Sequence, residues 1–231
     1  QSAVISDDNR KFSLWPDRGH RLAFGIYAAE TIRFGDVRDH RHSLTFSGSW
    51  VQVWPLAHQH TLASRIELSV MTPLVGPPEY RSLIRAGGVD GLGAYGGNEI
   101  FGRALALAQL EYRHVYWSNF NVNLLHLFWL RGIGGSLFTG VASVSGCDDY
   151  RGWFGRESWY GQVGYGVTAF LQLLGVTPQF IRFDVGVPLV RRRTMCIGDY
   201  LPDHLAQLQG IDPTQFHLPP VGVNLTFLQP F

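Results

Sequence analysis

The sequence predicts an all-β fold, a transmembrane antiparallel up-and-down β-barrel, and three observations carry that prediction. The first is the final segment, 220–231. Read at a period of two, Val221, Val223, Leu225, Phe227 and Phe231 share one face, and Gly222, Asn224 and Thr226 share the other. That is a strand with one apolar and one polar face. The second is composition. Apolar residues make up 45% of the chain but charged ones only 16%, below the roughly 25% of ordinary soluble domains. Glycine is abundant at 27 residues and lysine nearly absent, a balance that suits a wall with lipid outside and a polar interior. The third is that no apolar run reaches the roughly 18 residues of a membrane helix. The nearest, 124–130, is short and contains His126. A net charge of +1 gives no bulk electrostatic case for a nucleic-acid partner.

The elements follow in order. Residues 1–14 open the chain as the tail of a strand. Trp15-Pro-Asp-Arg-Gly19 is a tight turn in which Pro16 sets φ and Gly19 supplies a positive one. The first full strand spans 20–33, with Leu22, Phe24, Ile26 and Ala28 opposed to Ala23, Gly25, Tyr27 and Ala29. A charged loop covers 34–41. Strand 42–54 sets Leu44, Phe46, Trp50 and Trp54 against Ser43, Thr45, Ser47 and Ser49. A turn over 55–59 leads into strand 61–72, where Leu62, Ile66, Leu68 and Val70 oppose Ala63, Arg65, Glu67 and Ser69. Residues 73–102 form a long loop, a length that is usually functional in a compact domain.

Strand 103–117 follows, with Gln109, Glu111 and Arg113 on its polar face. Residues 118–131 space Val122, Leu125, Phe128 and Trp129 helically and predict an amphipathic connector. Strands 134–144, 160–174 and 180–190 come next, with a turn at Gly175 and a polar loop over 145–159. A second long loop, extracellular by position, covers 191–219 before the last strand. Eight strands thus follow the opening segment in one domain, 1–231, and short and long connections alternate. Short turns on one edge and long loops on the other are the outer-membrane pattern. The two cysteines, Cys147 and Cys196, both fall in loops on the long-loop side. A disulfide between them and a pair of free thiols are both compatible with the spacing.

The ordered pieces resemble the BamA/TamA-type outer-membrane assembly and translocation superfamily. Pro16-Asp-Arg-Gly-His-Arg-Leu22 is similar to its turn between two barrel strands. Gly87-Gly-Val-Asp-Gly-Leu-Gly-Ala-Tyr95, then Gly97-Asn98 and the strand 106–113, resemble its signature loop and the following strand. Gly134-Gly-Ser-Leu-Phe-Thr-Gly140 and Phe180-Ile-Arg-Phe-Asp-Val-Gly-Val-Pro-Leu189 resemble two later strands. The resemblance implies the carboxy-terminal half of a 16-stranded barrel in a bacterial outer membrane. It also implies that the terminal aromatic, Phe231, is part of the signal for barrel assembly. Eight strands also suffice for a small closed barrel. Gln1-Ser2-Ala3 reads either as a processed amino terminus or as a cut within a longer chain.

The implied signature-like loop is Gly87, Gly88, Leu92, Gly93, Ala94 and Tyr95. In the family an Arg at its tip pairs with an Asp in the lumen. Here Gly93 stands at the Arg position, and Thr139 is assigned to the Asp position. Losing both partners of a buried pair is far cheaper than losing one. Arg65, Glu67, Glu111, Arg113, Thr139, Arg182 and Asp184 are the predicted lumen-facing polar residues, either lining a path or holding the wall. His58 and His60 read as solvated turn residues rather than metal ligands. Arg191-Arg-Arg193 suits either lipopolysaccharide phosphates or a solvated loop. Trp15, Trp54, Trp117 and Trp159 stand at strand ends, as membrane-interface aromatics do.

No motif joins His217, Asp203 or Asp212 to a nucleophile, so no enzyme and no cofactor are expected. The implied function is insertion of outer-membrane proteins or polypeptide translocation. The alternatives are a structural anchor or partner subunit without insertase activity, and a small passive pore. Expected partners are outer-membrane lipids and lipopolysaccharide, other outer-membrane or periplasmic proteins, and further strands from an upstream segment or another chain.

Overall fold

The computed structural model describes residues 2–10, 17–33, 39–76, 82–88, 90–97, 99–124, 128–147, 150, 152–173, 177–191 and 220–227. Its long strands are β1 (Ser2–Asp8), β2 (Gly19–Arg33), β3 (Asp39–Ala57), β4 (His60–Val75), β7 (Ala104–Leu124), β8 (Phe128–Val144), β9 (Trp159–Leu173), β10 (Thr177–Pro188) and β11 (Gly222–Phe227). They form one antiparallel up-and-down sheet in the order β1-β2-β3-β4-β7-β8-β9-β10-β11. Two short strands, β5 (Ile84–Arg85) and β6 (Phe101–Gly102), pair separately inside the 76–103 loop. The all-β, up-and-down expectation holds. A closed barrel is not seen: among the described residues β1 and β11 are the two edges, and no ladder joins them.

The opening segment is a strand, as expected: β1 pairs with β2 from Ser2↔Tyr27 to Asp8↔Arg21, ahead of the eight expected long strands, so the sheet has nine among the described residues. The expectation of a helical connector over 118–131 needs correction, since no helix occurs there among the described residues. β7 runs on to Leu124 and β8 begins at Phe128, with Val122 facing Leu130 and Asn123 facing Trp129. Register shifts fall at Val115/Trp117 and Ser118/Val122 on β7, and at Leu130/Gly132 on β8. Each extra residue reverses the phase of the alternation beyond it. Apolar residues on either side of such shifts then fall three or four apart, which imitates a helix. Leu125 itself lies outside the described residues.

The turns are tighter than their sequence suggested. Only His58 and Gln59 separate β3 from β4, with Gln59 at φ 67°. Gly19 takes the expected positive φ, 114°, and a Cβ there would come 2.5 Å from the Arg10 backbone. The turn residues 11–16 and 174–176 lie outside the described residues, as do Trp15 and Gly175.

The two faces of the sheet differ sharply. One carries exposed apolar side chains across almost every strand: Phe24 57%, Leu68 51%, Leu137 53% and Val223 58%. Contiguous apolar surface on this scale marks a membrane or protein contact. The other face is polar or small-residued and largely buried. The 82–102 loop folds down onto it, so that Leu92, Ala94, Tyr95 and Ile100 pack with Leu105, Leu107, Ala142, Val144 and Tyr160. The main hydrophobic core is therefore sandwiched between one loop and the inner side of β7–β9.

Candidate functional site

The inner face takes its shape from the loop that lies on it. The loop first closes on itself. Gly88 N–H donates to the Tyr95 carbonyl (2.9 Å), Leu92 N–H to the Ala86 carbonyl (2.6 Å), and Gly96 N–H to Glu99 Oε2 (2.6 Å). Gly88 sits at φ 86°, and a Cβ on Gly87 would strike the Gly96 carbonyl. The turn requires both glycines.

Side chains from four strands then hold the loop by its backbone. Arg65 Nη1 donates to the Asp90 carbonyl (2.9 Å), Gln109 Nε2 to the Gly91 carbonyl (2.6 Å) and Asn224 Nδ2 to the Gly93 carbonyl (2.6 Å). Ala94 N–H donates to Gln162 Oε1 (2.7 Å). The Tyr95 hydroxyl lies 2.8 Å from the carbonyls of both Gly161 and Val190 and accepts Val190 N–H at 3.3 Å. The strands also leave room. A Cβ on Gly140 would meet Leu92 at 2.9 Å, and Cβ atoms on Gly186 and Gly222 would meet Ala94 at 3.0 and 2.6 Å. Leu92 and Ala94 therefore rest in notches cut by glycines on three strands. All six signature-like residues, Gly87, Gly88, Leu92, Gly93, Ala94 and Tyr95, belong to this docked loop.

Beneath the tip the predicted lumenal charges form two ladders. On β4, Arg65 Nη2 pairs with Glu67 at 2.6 Å. Across β7 and β10, Arg113 pairs with Glu111 (3.1 Å), Glu111 with Arg182 (2.6 Å), and the Arg182 Nε with both Asp184 oxygens (2.7 and 2.8 Å). Arg182 reaches Glu111 over two intervening strands. On β9, between them, a Cβ on Gly166 would strike the Asp184 carboxylate and one on Gly164 the Phe138 ring. Glu111 and Arg113 are 2% and 3% exposed, so each charge depends on its partners. A cavity of about 380 Å³ is lined by Glu111, Arg182 and Asp184 of the long ladder and by Asp90, Gly91 and Gly93 of the loop tip. Arg21 from β2 and Thr226 from β11 both line it, so the sheet curls until its second strand and its last share one space.

Thr139 is the exception among the predicted lumen residues. It shares the outer face with Leu137 and Val141, and its hydroxyl donates to the Gln162 carbonyl at 3.0 Å. The neighbour that faces inward is Phe138, with its ring centroid 5.9 Å from the Arg182 guanidinium. Counting one residue off reverses the face. So neither an Arg on the loop nor an acid on β8 is present at this contact. Backbone-directed amide bonds from Gln109, Gln162 and Asn224 hold the tip instead. These three amides were not singled out in advance. Their signal was present: each is an uncharged hydrogen-bonding residue at an inward position of an otherwise alternating strand.

His60 Nδ1 lies 2.6 Å from the Tyr112 hydroxyl, and no metal-like group of three or more ligands occurs among the described residues. Trp159 opens β9 and Trp54 lies near the end of β3, 39% and 38% exposed, whereas Trp117, 57% exposed, lies within β7 because that strand runs on to Leu124. Cys147 is buried and disulfide-bonded; the other cysteine, Cys196, lies outside the described residues. So do Arg192, Arg193, Asp203, Asp212, His217 and Phe231. No protein-family model matches the chain, and no curated protein matches its sequence.

Proposed function

We propose that the chain is a wall of an outer-membrane β-barrel of the assembly-and-translocation kind, handling other polypeptides without a cofactor. The observation that carries this reading is the docked loop. A two-faced, curled sheet leaves its apolar side exposed and binds one long internal loop on its polar side through Asn224, Gln162, Gln109 and Tyr95. The resemblance of that loop and its neighbouring strands to the BamA/TamA-type superfamily supports the same reading. Apolar exposure on the outer face fits lipid. The edges β1 and β11 offer main-chain donors and acceptors of the kind that pair with an incoming strand.

The test is reconstitution of the native protein in lipid vesicles, followed by timing the folding of an added unfolded outer-membrane protein. Faster client folding than in empty vesicles supports the reading. Insertion without any acceleration overturns it in favour of a structural anchor. Gly93 and Phe138 favour that second reading, because a loop held through its backbone by Arg65, Gln109, Gln162 and Asn224 needs no lumenal ion pair. A steady ion conductance with no client effect would instead indicate a small pore.

A further inference from the structure

Toward the short-turn end of the outer face, two tyrosines meet from strands that are not neighbours. Tyr116 stands on β7 and Tyr165 on β9, with β8 between them. Their hydroxyls are hydrogen-bonded to each other, and His114 Nε2 lies 3.1 Å from the Tyr165 hydroxyl. The meeting depends on Gly135 of β8. A Cβ there would collide with the Tyr165 hydroxyl and would stand 2.9 Å from His114 Nε2 and 3.0 Å from the Tyr116 hydroxyl. Three polar atoms thus converge over one missing side chain. Both phenols are open to the exterior, Tyr116 being 47% and Tyr165 37% exposed.

The hydrogen bonds run in one direction. His114 Nδ1 is buried without a hydrogen-bond partner, and buried N–H groups are left orphaned more rarely than acceptors are. The ring therefore carries its proton on Nε2 and donates it to the Tyr165 oxygen. Tyr165 in turn donates to Tyr116, and the Tyr116 hydrogen is the one left over. A phenol whose oxygen accepts a hydrogen bond releases its hydrogen atom more readily, because the same bond stabilises the phenoxyl radical that remains. The neighbouring rings are electron-rich as well. The ring centroid of Trp117 lies 5.9 Å from that of Tyr116, and the Tyr112 centroid 5.6 Å from that of His114. A belt of amphipathic rings at a membrane interface needs no contact between two hydroxyls.

We propose that Tyr116 and Tyr165 are an oxidation site at which the chain becomes cross-linked to itself, with peroxyl radicals as the oxidant. One peroxyl radical takes the hydrogen atom of the Tyr116 hydroxyl and leaves as a hydroperoxide. A second does the same at Tyr165. The two phenoxyl radicals carry unpaired density on the carbons beside their oxygens, and they join there in one carbon–carbon bond. Each ring then returns the hydrogen of its joined carbon to its own oxygen. Both phenols are restored, and the pair has lost two hydrogen atoms in all. The product ties β7 to β9 across β8. Peroxyl radicals carry lipid oxidation, so on the barrel-wall reading the site lies where they arise; the linking chemistry itself does not need that reading.

The experiment exposes the full chain, folded in detergent micelles, to peroxyl radicals released by a thermal azo initiator. Linkage is read by dityrosine fluorescence and located by mass spectrometry of the digested protein. The wild type is expected to give one dominant link, joining the peptides of Tyr116 and Tyr165. Tyr116→Phe and Tyr165→Phe should each abolish it, and Tyr27→Phe should leave it unchanged. Gly135→Ala keeps both phenols but drives their hydroxyls apart, and the displaced ring ends have open space outside the sheet. It should lower the yield of the link roughly tenfold, since the pair is no longer held in contact. No link in the wild type, links spread evenly over the tyrosines, or an equal yield from Gly135→Ala overturns the proposal. Neither membrane insertion nor client folding is read here, so such a result leaves the proposed function standing.

Discussion

Leu110 and Glu111 are neighbours on β7, yet Leu110 is 43% exposed and Glu111 2%. The same inversion separates Phe183, 46% exposed, from Arg182, whose side chain is 13% exposed. In a water-soluble domain the apolar member of each pair would be inside. Here the sheet's outer face exposes what water rejects, and its inner face buries what an apolar core rejects. On the proposed barrel-wall reading, the two faces answer to different solvents. The difference also shows that the inner face survives only because ion pairs and amide–carbonyl bonds satisfy it residue by residue.

The sharpest way to break that contrast is to remove one member of the long ladder. Arg182→Met takes Asp184's ion-pair partner away and leaves Glu111 with Arg113 alone. It should cost about 3–5 kcal/mol, read as a fall in the urea midpoint of the protein folded in vesicles. Adding Asp184→Asn, which keeps the Glu111–Arg113 pair, should recover part of that loss. No recovery would mean that the Arg182 side chain serves packing rather than charge. Next in size is a charge placed on the outer face. Leu137→Arg should cost about 2–4 kcal/mol near the middle of a bilayer. An unchanged midpoint would place water or another protein against that face.

Smaller effects probe the loop. Gly222→Val puts a side chain where Ala94 lies 2.6 Å from a Cβ position. The expected cost is about 1–3 kcal/mol of overpacking, seen as faster trypsin cleavage at Arg85 than in the wild type. Protection equal to wild type would mean that the glycine notch is not what seats the tip. Asn224→Ala removes a single bond to the Gly93 carbonyl and should cost about 1 kcal/mol. Combining it with Gln162→Ala should exceed the sum of the two if both amides hold one rigid tip, a result that a double-mutant cycle reads directly.

Most of the wall was legible because its signal is local. Val163, Tyr165 and Val167 against Gln162, Gly164 and Gly166 fix strand and face at once. The Arg65, Glu67, Glu111, Arg113, Arg182 and Asp184 positions followed from that parity alone, and all lie on the inner side. Parity misleads at two places: Thr139, expected inward, faces out beside an inward Phe138, and the bulges between Val115 and Val122 imitate helical spacing. The loop glycines could also be read, since Gly88 at φ 86° is a demand of local backbone geometry.

By itself, then, the sequence determined the strands, their faces, the up-and-down order and the long loop between β4 and β7, because each rests on residues close together in the chain. Tertiary structure alone decided where that loop goes. Gly93 meets Asn224 across 131 positions, and Tyr95 meets Val190 across 95. No periodicity records such a pairing. It depends on how far the sheet curls and on which glycines line up across strands. The pairing of Glu111 with Arg182, 71 positions apart, was decided in the same way. Each charge has only its face written locally, while its partner is set by the curvature that brings β7 and β10 within reach.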